Sequence, residues 1–120
     1  MQTKADDTTT ARGREAEARA AYHLERHGLR VVARNFRIRG GEIDLICRDG
    51  KVLVFIEVRL RSRGDFGGAA ASITAGKRRR IVLAAQHYLA GKADCDCRFD
   101  CVLIDGERLE WLPNAFAADD

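Results

Sequence analysis

The stretch from Gly41 to Arg61 reads as one β-hairpin, and it leaves the chain few choices. Its first half is Gly41-Glu42-Ile43-Asp44-Leu45-Ile46-Cys47-Arg48 and its second half Lys51-Val52-Leu53-Val54-Phe55-Ile56-Glu57-Val58-Arg59-Leu60-Arg61. Between them stands Asp49-Gly50, a strong signal for a two-residue turn. With those two residues at its centre, Arg48 faces Lys51, Glu42 faces Glu57, Asp44 faces Phe55 and Ile46 faces Leu53. Side chains alternate along a strand, so these acids share one face, with Arg59 and Arg61 continuing it. Asp44 and Glu57 become diagonal neighbours, roughly 7–8 Å apart at the backbone. The other face of the second strand is Val52, Val54, Ile56, Val58 and Leu60, an unbroken apolar row of a strand covered on both sides.

Charge gathered at one end of such a strand has two readings. One is a set of cross-strand salt bridges at a solvated sheet end. The other is a site that gathers carboxylates around a cation, because clustered carboxylates are costly to bury unless something positive joins them.

The rest of the chain supplies a frame for that hairpin. Residues 1–10 are polar and read as a disordered tail, leaving 11–120 as a single domain, long enough for a real core. A helix is predicted from about Ala11 to His27, stopped by Gly28, with Ala20, Ala21 and Leu24 facing inward. Glu17 shares that stripe, either as an edge residue paired to an arginine or as a third carboxylate reaching the hairpin. Leu29 to Phe36 reads as a strand. Ser62 to Ala71 is a Gly-rich loop leaving the charged strand end, and Thr74 is a plausible N-cap for a second helix ending before Gly91. Cys97 to Ile104 and Glu107 to Leu112 read as strands around Asp105-Gly106, the second ended by Pro113. The order helix, three strands, helix, two strands is α/β.

Net charge is only +3, but its distribution is uneven. From Arg59 to Arg80 seven basic residues stand against one acid, Asp65, an excess that suits a polyanionic partner. Lys77 projects from the buried side of the second helix, with Arg78, Arg79 and Arg80 fanning around it. No stretch is long enough for a membrane span and the N-terminus lacks a signal-peptide pattern, so a cytoplasmic protein with free thiols is expected. Cys95, Cys97 and Cys101 lack zinc-knuckle spacing, and Cys101 alternates with core residues. There is no Gly-rich phosphate loop and no nucleophile elbow. What remains is carboxylates beside cations. Hard oxygen ligands suit Mg²⁺ or Mn²⁺, and basic flanks suit a phosphate backbone, a combination that describes phosphodiester hydrolysis.

Asp44 followed by Glu57-Val58-Arg59 resembles the signature of the PD-(D/E)XK nuclease superfamily, an acid on one hairpin strand and acid-x-Lys on the next. From Gly13 to Phe116 the chain resembles the YraN family of bacterial nuclease-like proteins. The matching pieces are Gly13, Glu17, Ala20 and Leu24; Arg34-Asn35-Phe36; Gly41 to Ile46; Phe55 to Arg59; Lys77; Arg98-Phe99-Asp100; and Asn114-Ala115-Phe116. The resemblance implies a restriction-endonuclease-like fold, a central mixed sheet flanked by helices, similar to Holliday-junction resolvases. It implies a Mg²⁺- or Mn²⁺-dependent endonuclease acting on DNA, with branched DNA as a candidate substrate and a homodimer as a candidate assembly. Asp44 and Glu57 would hold the metal, Glu17 and Glu42 complete its surroundings, and Arg59 contact the reacting phosphate. Arg61, Lys77, Arg78, Arg79 and Arg80 would bind the backbone. One departure bears on activity: Arg59 stands where the superfamily has lysine, and arginine cannot act as a base. Lys77 could take part of that role, or the fold could bind nucleic acid without cutting it.

Overall fold

The computed structural model describes residues 4–60 and 73–118. The expected Gly-rich loop from Ser62 to Ala71, and Arg61 with it, lie outside the described residues. Seven elements follow in order: α1 (Lys4–Arg26), β1 (Arg30–Ile38), β2 (Gly41–Asp49), β3 (Val52–Leu60), α2 (Ala75–Leu89), β4 (Cys97–Asp105) and β5 (Arg108–Phe116). The strands form one sheet in the order β1-β2-β3-β4-β5. Only β3 and β4 pair in parallel, because α2 carries the chain back across the sheet between them. The result is a mixed α/β sheet flanked by two helices, compatible with a restriction-endonuclease-like fold. Among the described residues no helix is long and apolar enough to cross a membrane.

Each helix covers one face of the sheet. Ala16, Ala20, Ala21 and Leu24 of α1 pack on Leu45, Cys47, Val54, Ile56, Val102 and Ile104. Ile81, Ala84 and Ala85 of α2 pack on Ile43, Ile46, Leu53, Phe55, Phe99, Cys101 and Leu103. Alternate residues of β3 and β4 therefore feed two separate cores, as their near-continuous apolar runs require. Cys101 is buried under α2 as a packing residue, and burial pushes its thiol pKa up to about 12.

Three local expectations are corrected. The helix α1 begins at Lys4 rather than near Ala11. The hairpin turn is centred on Gly50 and Lys51, not on Asp49 and Gly50, because Asp49 pairs with Val52. Asp49 stays in the strand, where its carboxylate accepts a hydrogen bond from Arg98 at 3.0 Å, and Gly50 takes the positive φ of 62° that the first central position demands. The pairing therefore slides by two residues, and Ile46 faces Phe55 instead of Leu53. Finally, β5 passes through Pro113 to Phe116. It is an edge strand, and the register shifts between Phe99 and Cys101, so a residue without an N–H is tolerated there. Asn114, at a φ of 56°, donates its N–H to the fully buried Asp100, which also accepts from Trp111 and Arg98. The two distant pieces Arg98-Phe99-Asp100 and Asn114-Ala115-Phe116 thus form one latch, completed by Phe99 stacking on Phe116 at 4.9 Å.

The approach of α2 to the sheet is set at Gly41. A Cβ there would lie 2.5 Å from the Arg80 carbonyl oxygen and 3.2 Å from the Ala84 nitrogen. Both are helix backbone and neither can rotate away. Gly41→Ala is expected to push α2 off β2 and to cost about 1–3 kcal/mol, read as a lower thermal midpoint.

Candidate functional site

Strict alternation along β2 would place Ile43 and Leu45 on the same face. They do not share one: Ile43 and Ile46 pack under α2, whereas Leu45 and Cys47 pack under α1. On β1, Ala33 and Phe36 both pack toward α2, with Asn35 between them at a φ of 51°. Alternation therefore slips at Asn35 on one strand and at Asp44 on the next. The β2–β3 pairing ends at Leu45 and Ile56, and beyond it the Asp44 carboxylate enters the seam. Its Oδ2 accepts the Val58 N–H at 2.8 Å, doing the work of the missing backbone acceptor.

From that seam Asp44 meets acids from both sides. Glu17, on α1, lines one depression with Asn35 and feels the charge of Asp44. Its pKa is raised, first by burial and then by the Asp44 charge. Glu57, on β3, lies within hydrogen-bonding reach of Asp44 and is only 4% exposed. Burial first, and the Asp44 charge second, push the Glu57 pKa up to about 8, against the opposing pull of Lys77. Two carboxylates facing each other in a dry seam cannot both ionise cheaply, which disfavours the doubly charged pair in the metal-free protein.

Lys77 reaches this pair from α2. Thr74 caps that helix, its Oγ1 accepting the Lys77 N–H at 3.1 Å, which fixes the lysine in the first turn. Its Nζ lies 3.4 Å from Glu57 Oε2 and 3.6 Å from Glu42 Oε1. Arg59 stands further off, 4.0 Å from Glu57 Oε2. Glu42 is taken up by cations on every side: Arg37 at 3.5 Å, Lys77, and Arg80 at 3.6 Å. The sequence-predicted residues Glu17, Asp44, Glu57, Arg59 and Lys77 thus converge, with Glu42 beside them as an ion-pair hub. Arg79 and Arg80 join Arg59 and Lys77 around a depression of about 590 Å³ at the α2 N-terminus. Arg78 turns elsewhere, donating to the Ile73 carbonyl at 3.0 Å and lying 5.9 Å from the centre of the Phe116 ring. Asn35 and Arg37 were missed by sequence reasoning; the signal was the Asn35 side chain in a strand, the residue type that most readily takes a positive φ.

The donor set is all oxygen, and one of those oxygens asks for a cation. Glu57 Oε1 is buried with no hydrogen-bond partner among the described residues. When Glu57 is ionised that oxygen is costly to leave bare, and a divalent cation shared with Asp44 would satisfy it. The residues fit Mg²⁺ or Mn²⁺. Among the described residues no group of three or more His, Cys, Asp or Glu side chains forms a ready cage. Two protein carboxylates with water in the remaining positions is the usual habit of Mg²⁺.

Comparison with known proteins shows the family. Residues 16–104 match the model of a family described as "Uncharacterised protein family UPF0102". A UPF0102 protein of Dechloromonas aromatica is 85% identical over 120 residues, covering 100% of both chains. One of Cupriavidus taiwanensis is 61% identical over 112 residues, covering 91% of this chain and 85% of the relative. One of Serratia proteamaculans is 51% identical over 107 residues, covering 86% and 92%. The matched segment runs from the helix that carries Glu17 to the end of the strand beside Glu57, and the chain belongs to the UPF0102 family, the YraN family of the PD-(D/E)XK nuclease-like superfamily.

Proposed function

We propose that the chain is a Mg²⁺- or Mn²⁺-dependent DNA endonuclease that hydrolyses phosphodiester bonds in the cytoplasm, with branched DNA as a candidate substrate. The observation that carries this reading is Glu57: buried on a core strand beside Asp44 and Lys77, with one carboxylate oxygen unpartnered among the described residues. Asp44 and Glu57 would hold the metal, with Glu17 beside Asp44. The metal would lower the pKa of a bound water and offset charge developing on the phosphate. Glu42 is already engaged by three cations, so its role here is to hold Lys77 toward the carboxylates. Lys77 supplies an amine 3.4 Å from Glu57 Oε2, from α2 rather than from the strand position that Arg59 occupies. Arg59 binds and neutralises the phosphate without exchanging protons. The α2 N-terminus carries no acid in its first turn, and its uncompensated dipole together with Arg79 and Arg80 favours phosphate.

The arginine at position 59 favours a second reading, a nucleic-acid-binding module without chemistry. The two separate in a cleavage assay with Mg²⁺ or Mn²⁺ on linear duplex, single-stranded, flap and four-way-junction DNA. The nuclease reading expects cutting that Asp44→Asn and Glu57→Gln abolish. Binding without cutting, equal in wild type and both variants, would replace it by the binding module. Lys77→Ala is expected to lower the cleavage rate by about 10²–10³-fold, the scale of losing one group that acts on transition-state charge. Arg59→Lys is expected to retain or raise it, measured as single-turnover rate.

A further inference from the structure

A second basic depression lies on the opposite side of the carboxylate row, under α1. It has a volume of about 540 Å³ and is lined by Gly13, Arg14, Glu17, Asn35 and Arg37. Its two arginines come from different elements, α1 and β1, and both are exposed. Arg14 has no ion partner among the described residues, and Gly13 beside it leaves the approach open, with nothing within 4 Å of where a Cβ would stand. Glu17 contributes the one acid among these lining residues, and it is turned to Asn35 and Asp44 at the inner end.

The two depressions share no lining residue, but Glu42 ties them together through ion pairs. Glu42 binds Arg37 of one through Oε2, and Lys77 and Arg80 of the other through Oε1. Asp44 acts on Glu17 from one side and on Glu57 from the other, so it stands between them. Cations therefore stand on both sides of Glu42, Arg37 on β1 and Lys77 with Arg80 on α2. We infer that the α1 depression, through Arg14 and Arg37, holds the DNA backbone on the far side of the row, so that one strand crosses from the α2 depression over Asp44 and Glu57 into it. This rests on the nuclease reading for the position of the scissile phosphate, and it names a binding surface that reading does not need. A site with cations on one side holds one end of a strand; a site with cations on both fixes the bond between them.

The test is binding of a fluorescein-labelled single-stranded oligodeoxynucleotide to the full chain carrying Asp44→Asn, followed by anisotropy over a range of KCl concentrations without divalent metal. Each lost phosphate contact lowers the slope of log K against log salt by about 0.7 for single strands. Arg14→Ala is expected to lower it by about that amount, and Arg14→Ala with Arg37→Ala by about twice as much. Lys51→Ala, in the hairpin turn at the other end of β2 and β3, is expected to leave it unchanged. An unchanged slope in Arg14→Ala and in the double variant, while Lys77→Ala lowers it, would overturn the α1 surface and leave the nuclease reading standing. An equal fall in Lys51→Ala would overturn it too, by showing a bulk charge effect. A parent that binds no DNA at low salt would bring down both.

Discussion

Asp44→Asn and Glu57→Gln are each expected to reduce metal-supported DNA cleavage by about 10²–10³-fold without unfolding the protein. The reasons for retained folding are local. Asn at position 44 keeps an oxygen that can accept the Val58 N–H, now made at 2.8 Å. Gln at position 57 keeps an oxygen for Lys77 and gains an N–H that can donate to Asp44, removing the repulsion that now raises the Glu57 pKa. Both changes should therefore leave the thermal midpoint of the metal-free protein at pH 8 equal or higher, while removing half of the charge that would hold the cation. Loss of function with gain of stability is the mark of a strained site. Glu17→Gln, one carboxyl further from the pair, is expected to cost about tenfold. Single-turnover cleavage at saturating Mg²⁺ and thermal melts on the same samples read both quantities. Full activity in either Asp44→Asn or Glu57→Gln would remove that residue from the metal site; activity lost together with the melting transition would make the role structural.

Much of this site was legible before any coordinates. Period-two alternation put Glu57 and Arg59 on one face of a core strand, and helical spacing from Ile81 put Lys77 on the buried side of α2. The N-cap at Thr74 followed from residue type alone, and its side chain does accept the Lys77 N–H. What failed were features that alternation cannot encode. Asn35 takes a left-handed φ within a strand, so β1 and β2 exchange faces there, and Asp44 ends in a seam rather than on a face. The turn shifted because Asp49 is held by Arg98, 49 positions away in sequence, a partner no local rule supplies. Pro113 was read as a stop because its strand's place at the sheet edge is a property of the whole topology. Glu42 is legible in the hairpin as a carboxylate among the others, but its ion pairs with Lys77 and Arg80 come only with the packing of α2. Local patterns thus located the charged groups, while long-range pairing decided which of them met.

The metal-free protein should lose stability as the solution is made more alkaline, in contrast to the usual carboxylate. The sign follows from Glu57, whose folded pKa is about 8 against 4.5 for the ordinary group. Between those values the folded state holds a proton that the unfolded state has released, so raising the pH favours unfolding. The contribution is fully present below about pH 4.5 and is lost progressively up to about pH 8. Taken over that window the loss is of order 3–5 kcal/mol, a large share of a small domain's stability. Glu17, also raised, adds to the slope in the same direction. A divalent cation acts oppositely, since it binds the ionised pair and competes with the proton. Mg²⁺ or Mn²⁺ is therefore expected to raise the thermal midpoint little at pH 5 and by several degrees at pH 8. Glu57→Gln should flatten the pH dependence of the metal-free protein and abolish the metal-induced shift together. Urea unfolding at a series of pH values, with EDTA and with Mg²⁺, measures each quantity. If stability rises from pH 5 to pH 8 in EDTA, Glu57 is ionised in its seam and needs no cation. If the fall is present but Mg²⁺ leaves it unchanged, the cost of burying Asp44 beside Glu57 belongs to the fold rather than to a metal site.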